Sequence, residues 1–135
     1  MITNNTIVVK TSAIQDLSQA IETGKILRVP ILIEEALDDG VPFEHILEQG
    51  IIDSMFQVQA RYDNGFIHVS QVLCSVKAMM IGVDTLKSHI TKAYAKDPIA
   101  SRKTATYHLH LIDHHISILQ REWKSHIRLP IPIRM

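Results

Sequence analysis

Cysteine is nearly missing from this chain: Cys74 stands alone among 135 residues. A single thiol excludes an internal disulfide, so the fold must be held by burial and hydrogen bonding. Glycine and proline are scarce, five of each, which argues against a collagenous, low-complexity or disordered chain. Charge of either sign is also lacking in excess, because fourteen acidic residues cancel fourteen basic ones. No net field therefore draws the chain to nucleic acid or to an anionic membrane surface. No apolar run reaches the length of a membrane span or is built like a signal peptide, so a cytoplasmic protein is expected. What the chain does have is apolar side chains, 46% of its residues, enough to build one core.

That apolar content recurs at helical spacing. Residues 1–10 are polar and then β-branched, and Ser12-Ala-Ile-Gln15 has the form of a capping box ahead of Leu17, Ala20 and Ile21. This first helix should end near Gly24. Ile26, Val29, Ile33, Ala36 and Leu37 trace a second helix that stops at Gly40, with Pro30 starting or kinking it. Pro42 suits the first turn of a third helix, whose buried face is Ile46, Leu47, Ile51, Met55, Val58 and Tyr62. Gly50 lies inside it, and close packing against a neighbour is the favoured reason for a residue that costs about 1 kcal/mol relative to alanine there. Asp63-Asn64-Gly65 supplies a turn, and Ser70 is placed to cap a fourth helix. That helix carries Val72, Val76, Met79, Val83, Leu86 and Ile90 at the alternating spacing of a bundle seam. The fold class is all-α, a four-helix bundle over 1–92 with a helical extension over 93–135.

Two readings compete in the extension. Tyr107, Leu109 and Leu111 alternate with His108 and His110 as in a half-buried strand. Against this, Asp97-Pro98 opens a helix, and Leu109, Ile112, Ile116, Leu119, Trp123 and Ile127 form a helical seam until Pro130 and Pro132 end it. The seam runs well past Leu111, which favours one long helix.

Gln49-Gly-Ile-Ile-Asp-Ser-Met55, Tyr62-Asp-Asn-Gly-Phe-Ile-His-Val69, Gln71-Val72 and a helix closing on Leu86-Lys-Ser-His-Ile90 together resemble the helical cap module of cobalamin-dependent methyltransferases and corrinoid proteins. The resemblance implies that Tyr62, Val69 and Val72 lie over the upper face of a cobalamin, with His68 beside them, shielding the cobalt–carbon bond. Ser70 stands where the family usually has proline, and His68 where it often has an aromatic or apolar residue. The light-sensing relatives place a Trp and a Glu-His pair over the cofactor. Tyr62, Val72 and Leu73 occupy those places here, so the methyltransferase-type cap fits better. The resemblance further implies no catalysis by the chain alone, and a corrinoid-binding or methyltransferase partner protein. Only about 45 residues follow Ile90, below the usual size of a domain. The family's lower loop reads Asp-x-His-x-x-Gly, and His115 and Asp113 match its cobalt ligand and the carboxylate behind it, respectively, with Ile118 in place of the glycine.

Other readings rest on the residues themselves. A cofactor-free interaction module would use the cap surface and the Trp123 seam for homo-oligomerisation. His110 and His114, one turn apart, could chelate zinc or nickel, although strong sites need three or four ligands. Asp113-His114-His115 also matches the signature triplet of the DHH phosphoesterases, but without the upstream aspartates those enzymes require. Cys74 lacks an activating neighbour and reads as a small packed residue, while Glu34-Glu35 and Asp38-Asp39 read as solvated helix-end charge.

Overall fold

The computed structural model describes residues 12–126, and the side chains within them except those of 100, 101 and 123–126. Five helices occur in order: α1 Ser12–Glu22, α2 Arg28–Asp38, α3 over 43–63, α4 Val69–Lys96 and α5 Pro98–His126. No strand occurs among the described residues, so Tyr107 to Leu111 are helical. An all-α bundle with a helical extension is what the spacing of apolar residues predicts. Residues 1–11 and the expected stops at Pro130 and Pro132 lie outside the described residues, as do Ile127 and the side chain of Trp123.

The first three helices close in the same way. A glycine just past the end adopts a positive φ, and two backbone bonds fold back over the last turn. After α3, for instance, Gly65 donates to the Tyr62 carbonyl at 3.0 Å and Phe66 to that of Arg61 at 2.8 Å. The expected stops near Gly24, Gly40 and Gly65 are thus realised as backbone motifs. One start differs from expectation. Ser70 is the second residue of α4 rather than its cap, since His68 holds the extended cap conformation and its carbonyl accepts from Gln71 and Val72.

Inside α3, residues Ile46–Ile52 form a π turn, in which the Asp53 N–H reaches back five residues to the Glu48 carbonyl. The wider turn lets α1 sit against it. A Cβ added at Gly50 would come within 2.7 Å of Leu17 Cδ2, and Ser18 Oγ donates to the Gln49 carbonyl at 3.1 Å. Close packing is therefore the reason for Gly50, and the π turn is a feature that helical periodicity did not indicate.

The core gathers Ile14, Leu17 and Ile21 of α1, Val29 and Ile33 of α2, the expected face of α3, and all six expected residues of α4. α2 runs alongside α4 in the same direction, with Gly24 against Cys74, Val29 and Ile33 near Gly82, and Leu37 near Ile90. α5 returns antiparallel to α4, pairing Asp113 with Lys87 at 3.9 Å. Its seam is rotated from the expected one. Ile112 and Leu119 are buried and Ile116 is half-buried, but Leu109 faces out and His108 takes the inward place. By length and mean hydropathy α4 meets what a membrane span needs, contrary to the expectation from apolar runs. Its apolar side chains nevertheless form the centre of the bundle.

Candidate functional site

Tyr62 ends α3 and Val69 begins α4, so the turn between them brings the two expected residues to one end of the bundle. Tyr62 is half-buried and packs on the core, whereas Val69 is 42% exposed. His68 is exposed at the helix start. Val72 differs from these. It is fully buried, so it supports the surface from beneath and cannot touch a ligand in this conformation.

Two further residues belong to the surface. Phe66, at 76% exposure, projects from the turn, and Leu73, at 42%, lies one helical turn beyond Val69. Val69 and Leu73, four residues apart, leave two large apolar side chains exposed on the same side of α4, and Phe66 is exposed on the turn before it. Leu73 comes after Val69 at i+4, off the buried seam of α4, and Phe66 occupies the residue after the helix-ending glycine, but their exposure is read only from the fold.

The end of α1 fixes this surface from behind. Glu22 accepts Ser75 Oγ on its backbone carbonyl at 3.0 Å, and its carboxylate meets Arg61 at 2.8 Å. One residue thus ties the start of α4 to the end of α3. The approach is tight enough that a Cβ on Gly24, whose φ is +71°, would lie 2.8 Å from the Cys74 Cβ. Cys74 is exposed and not the packed residue expected. One turn before Tyr62, the side-chain oxygen of Gln59 is buried without a hydrogen-bond donor, an unusual state for a polar atom.

The other expected site residues are not brought together. Asp113 and His115 lie in the middle of α5, not in a loop after a strand, and residues two apart on a helix point to different sides. Asp113 pairs with Lys87, and His115 Nε2 lies 3.3 Å from a Glu48 carboxylate oxygen. His110 and His114 are exposed, and no group of three metal-binding side chains occurs among the described residues. His108 stacks on Phe43 with ring centroids 3.9 Å apart and has Glu44 at 4.0 Å. Burial lowers its pKa, with the Glu44 charge opposing. These contacts wall a half-open cavity of about 220 Å³ between α4 and α5, at the far end of α4 from Val69.

A family model described as the B12 binding domain matches residues 13–87, more than half of the chain. The chain belongs to this family. The part of a cobalamin-binding protein that this B12 binding domain family represents is the helical cap module, and the match covers α1 to α3 and most of α4, ending before α5. The turn carrying Phe66 and the start of α4 thus fall inside the B12-binding match, whereas Asp113 and His115 fall outside it. No curated protein and no solved structure matched.

Proposed function

We propose that this chain is the cap of a cobalamin-dependent methyl-transfer system, covering the upper face of a corrinoid held by a separate corrinoid-binding domain. The observation that carries the reading is the exposure of the apolar side chains of Phe66, Val69 and Leu73 within the residues that the B12 binding domain model matches. When bound, the corrinoid would supply the methyl-carrying cobalt chemistry. The chain's part is exclusion. Apolar side chains keep water from a reactive bond without competing for the metal, and a surface fixed through Glu22 keeps its shape while doing so. The reading assigns no catalysis to the chain itself.

The test is photolysis. A corrinoid-binding domain loaded with methylcobalamin is illuminated with and without the chain, and loss of the cobalt–carbon bond is followed in the visible spectrum. Slower photolysis with the chain present, abolished by Val69→Asp, is expected. Gln59→Met should leave both the protection and the fold intact, with a melting temperature unchanged or higher, since it removes an unsatisfied buried acceptor. Unchanged photolysis and separate elution on a sizing column would overturn the reading, and colourless oligomers would favour the cofactor-free interaction module.

A further inference from the structure

The balanced total charge conceals an uneven distribution. Between residues 12 and 86 there are eleven acidic residues and four basic ones, whereas between 87 and 103 there are five basic residues and one acidic. The acidic excess falls inside the B12-binding match, and the basic excess begins where that match ends. The basic stretch is the hairpin that joins α4 to α5. Every residue from 91 to 99 is exposed, so the hairpin stands clear of the bundle.

Two helix faces carry these charges in one shared pattern. On α2, Ile31 is followed one turn later by Glu34 and Glu35, and on α5, Ile99 is followed at the same spacing by Arg102 and Lys103. Ile31 and Ile99 are both exposed, Ile99 at 92%, and Leu27 lies open one turn before Ile31. The four charged side chains are exposed too, and none of them has an ion-pair partner among the described residues. Within one chain, therefore, the acidic face and the basic face do not meet. Leu37 of α2 shares a cavity with Ala93 of α4 and Ala105 of α5, which puts both faces at the same end of the bundle.

We propose that this end of the bundle is a self-complementary interface, where the hairpin of each chain docks its Ile99–Arg102–Lys103 face on the Ile31–Glu34–Glu35 face of a second copy. One chain carries both faces, so a twofold axis makes the contact twice. Exposed ion pairs contribute little singly. Here they rim Leu27, Ile31 and Ile99, whose burial supplies affinity while the opposed charges select the partner and fix the register. The Phe66–Val69–Leu73 surface is at the far end of α4 and stays open in such a dimer, so the inference does not rest on the cofactor reading.

The experiment is a charge swap on the full chain, read as solution mass by light scattering after gel filtration. One variant carries Arg102→Glu with Lys103→Glu, the other Glu34→Lys with Glu35→Lys; all four positions are exposed, and melting curves check that each variant folds. Wild type should have the mass of a dimer and dissociate more readily as salt rises from about 0.05 to 0.5 M. Each variant alone should associate at least tenfold more weakly, because like charges then face each other. An equimolar mixture should recover the dimer, since each reversed face meets an unreversed one of opposite sign. A monomeric wild type would overturn the proposal, as would association that either reversal leaves unchanged. A mixture that stays monomeric would show that the two faces do not touch each other, and species larger than a dimer would replace the twofold arrangement by a head-to-tail one; both also overturn it. No corrinoid is present in any of these measurements, so failure of the dimer and failure of the cap reading are separable.

Discussion

At the scale of single residues, Gly50 and Glu22 show how much of the site depends on backbone contact. Alanine is the better helix former by about 1 kcal/mol, so Gly50→Ala would stabilise α3 if only propensity mattered. The added Cβ, however, would lie 2.7 Å from Leu17, which is itself fully buried, and overpacking of this kind costs about 1–3 kcal/mol. The packing effect should win. A lower urea midpoint for Gly50→Ala is the expected result, and a midpoint at or above wild type would show that Leu17 can move aside. The presence of Gly50 in a helix and its packing role were legible in the sequence. The value of Glu22 was not, because its carbonyl and carboxylate act on residues 53 and 39 positions away, and no local pattern reports such pairing.

At the scale of helices, α5 is held to the bundle partly by chemistry that titrates. The His108 ring stacks on Phe43 from α3, with Glu44 of α3 and His89 of α4 near it. Burial depresses its pKa from the ordinary 6.5, so the folded state favours the neutral ring. That contribution is complete above the unfolded value and is lost as pH falls through the folded one. Melting curves of wild type and His108→Phe should therefore converge or cross in favour of the variant as pH is lowered from about 7.5 to 5; parallel curves would remove His108 from the account. The sequence showed α5 as a helix through its long seam but misplaced the inward face by one residue, from His108 to Leu109. Histidine reads as polar in a periodicity argument, whereas here its flat ring packs as an aromatic does. Ser70 was misplaced for a similar reason. A hydroxyl residue ahead of an apolar run resembles a cap, but the extended backbone of His68 sets the start of α4.

For the whole molecule, the bundle came through in the sequence because its apolar stripes are regular, and the family match spans those same helices. The candidate surface was legible only in part. Tyr62 and Val69 lie at one end of the bundle, but Val72 belongs to the core, and Phe66 and Leu73 came to notice through their exposure. Exposure depends on which neighbours the fold supplies, and no single residue carries that information. Asp113 and His115 failed as a pair for the same reason, since their spacing acquires meaning only in a loop and they lie on a helix.

The π turn at Ile46–Ile52 carries one consequence for how this chain tolerates change. Such a turn accommodates one residue more than an α-helix of the same rise, without altering the phase of the helix beyond it. Loss of a single residue there would let the helix close regularly and leave Met55, Val58 and Tyr62 facing as they do. Deletion, ordinarily the harsher lesion in a helix, is at this place the gentler one, and a one-carbon substitution at Gly50 the harsher. A chain lacking Gln49 should melt above Gly50→Ala in parallel thermal scans, the order reversed from almost any other helix; a lower melting temperature would mean that the surplus residue has become indispensable to α1.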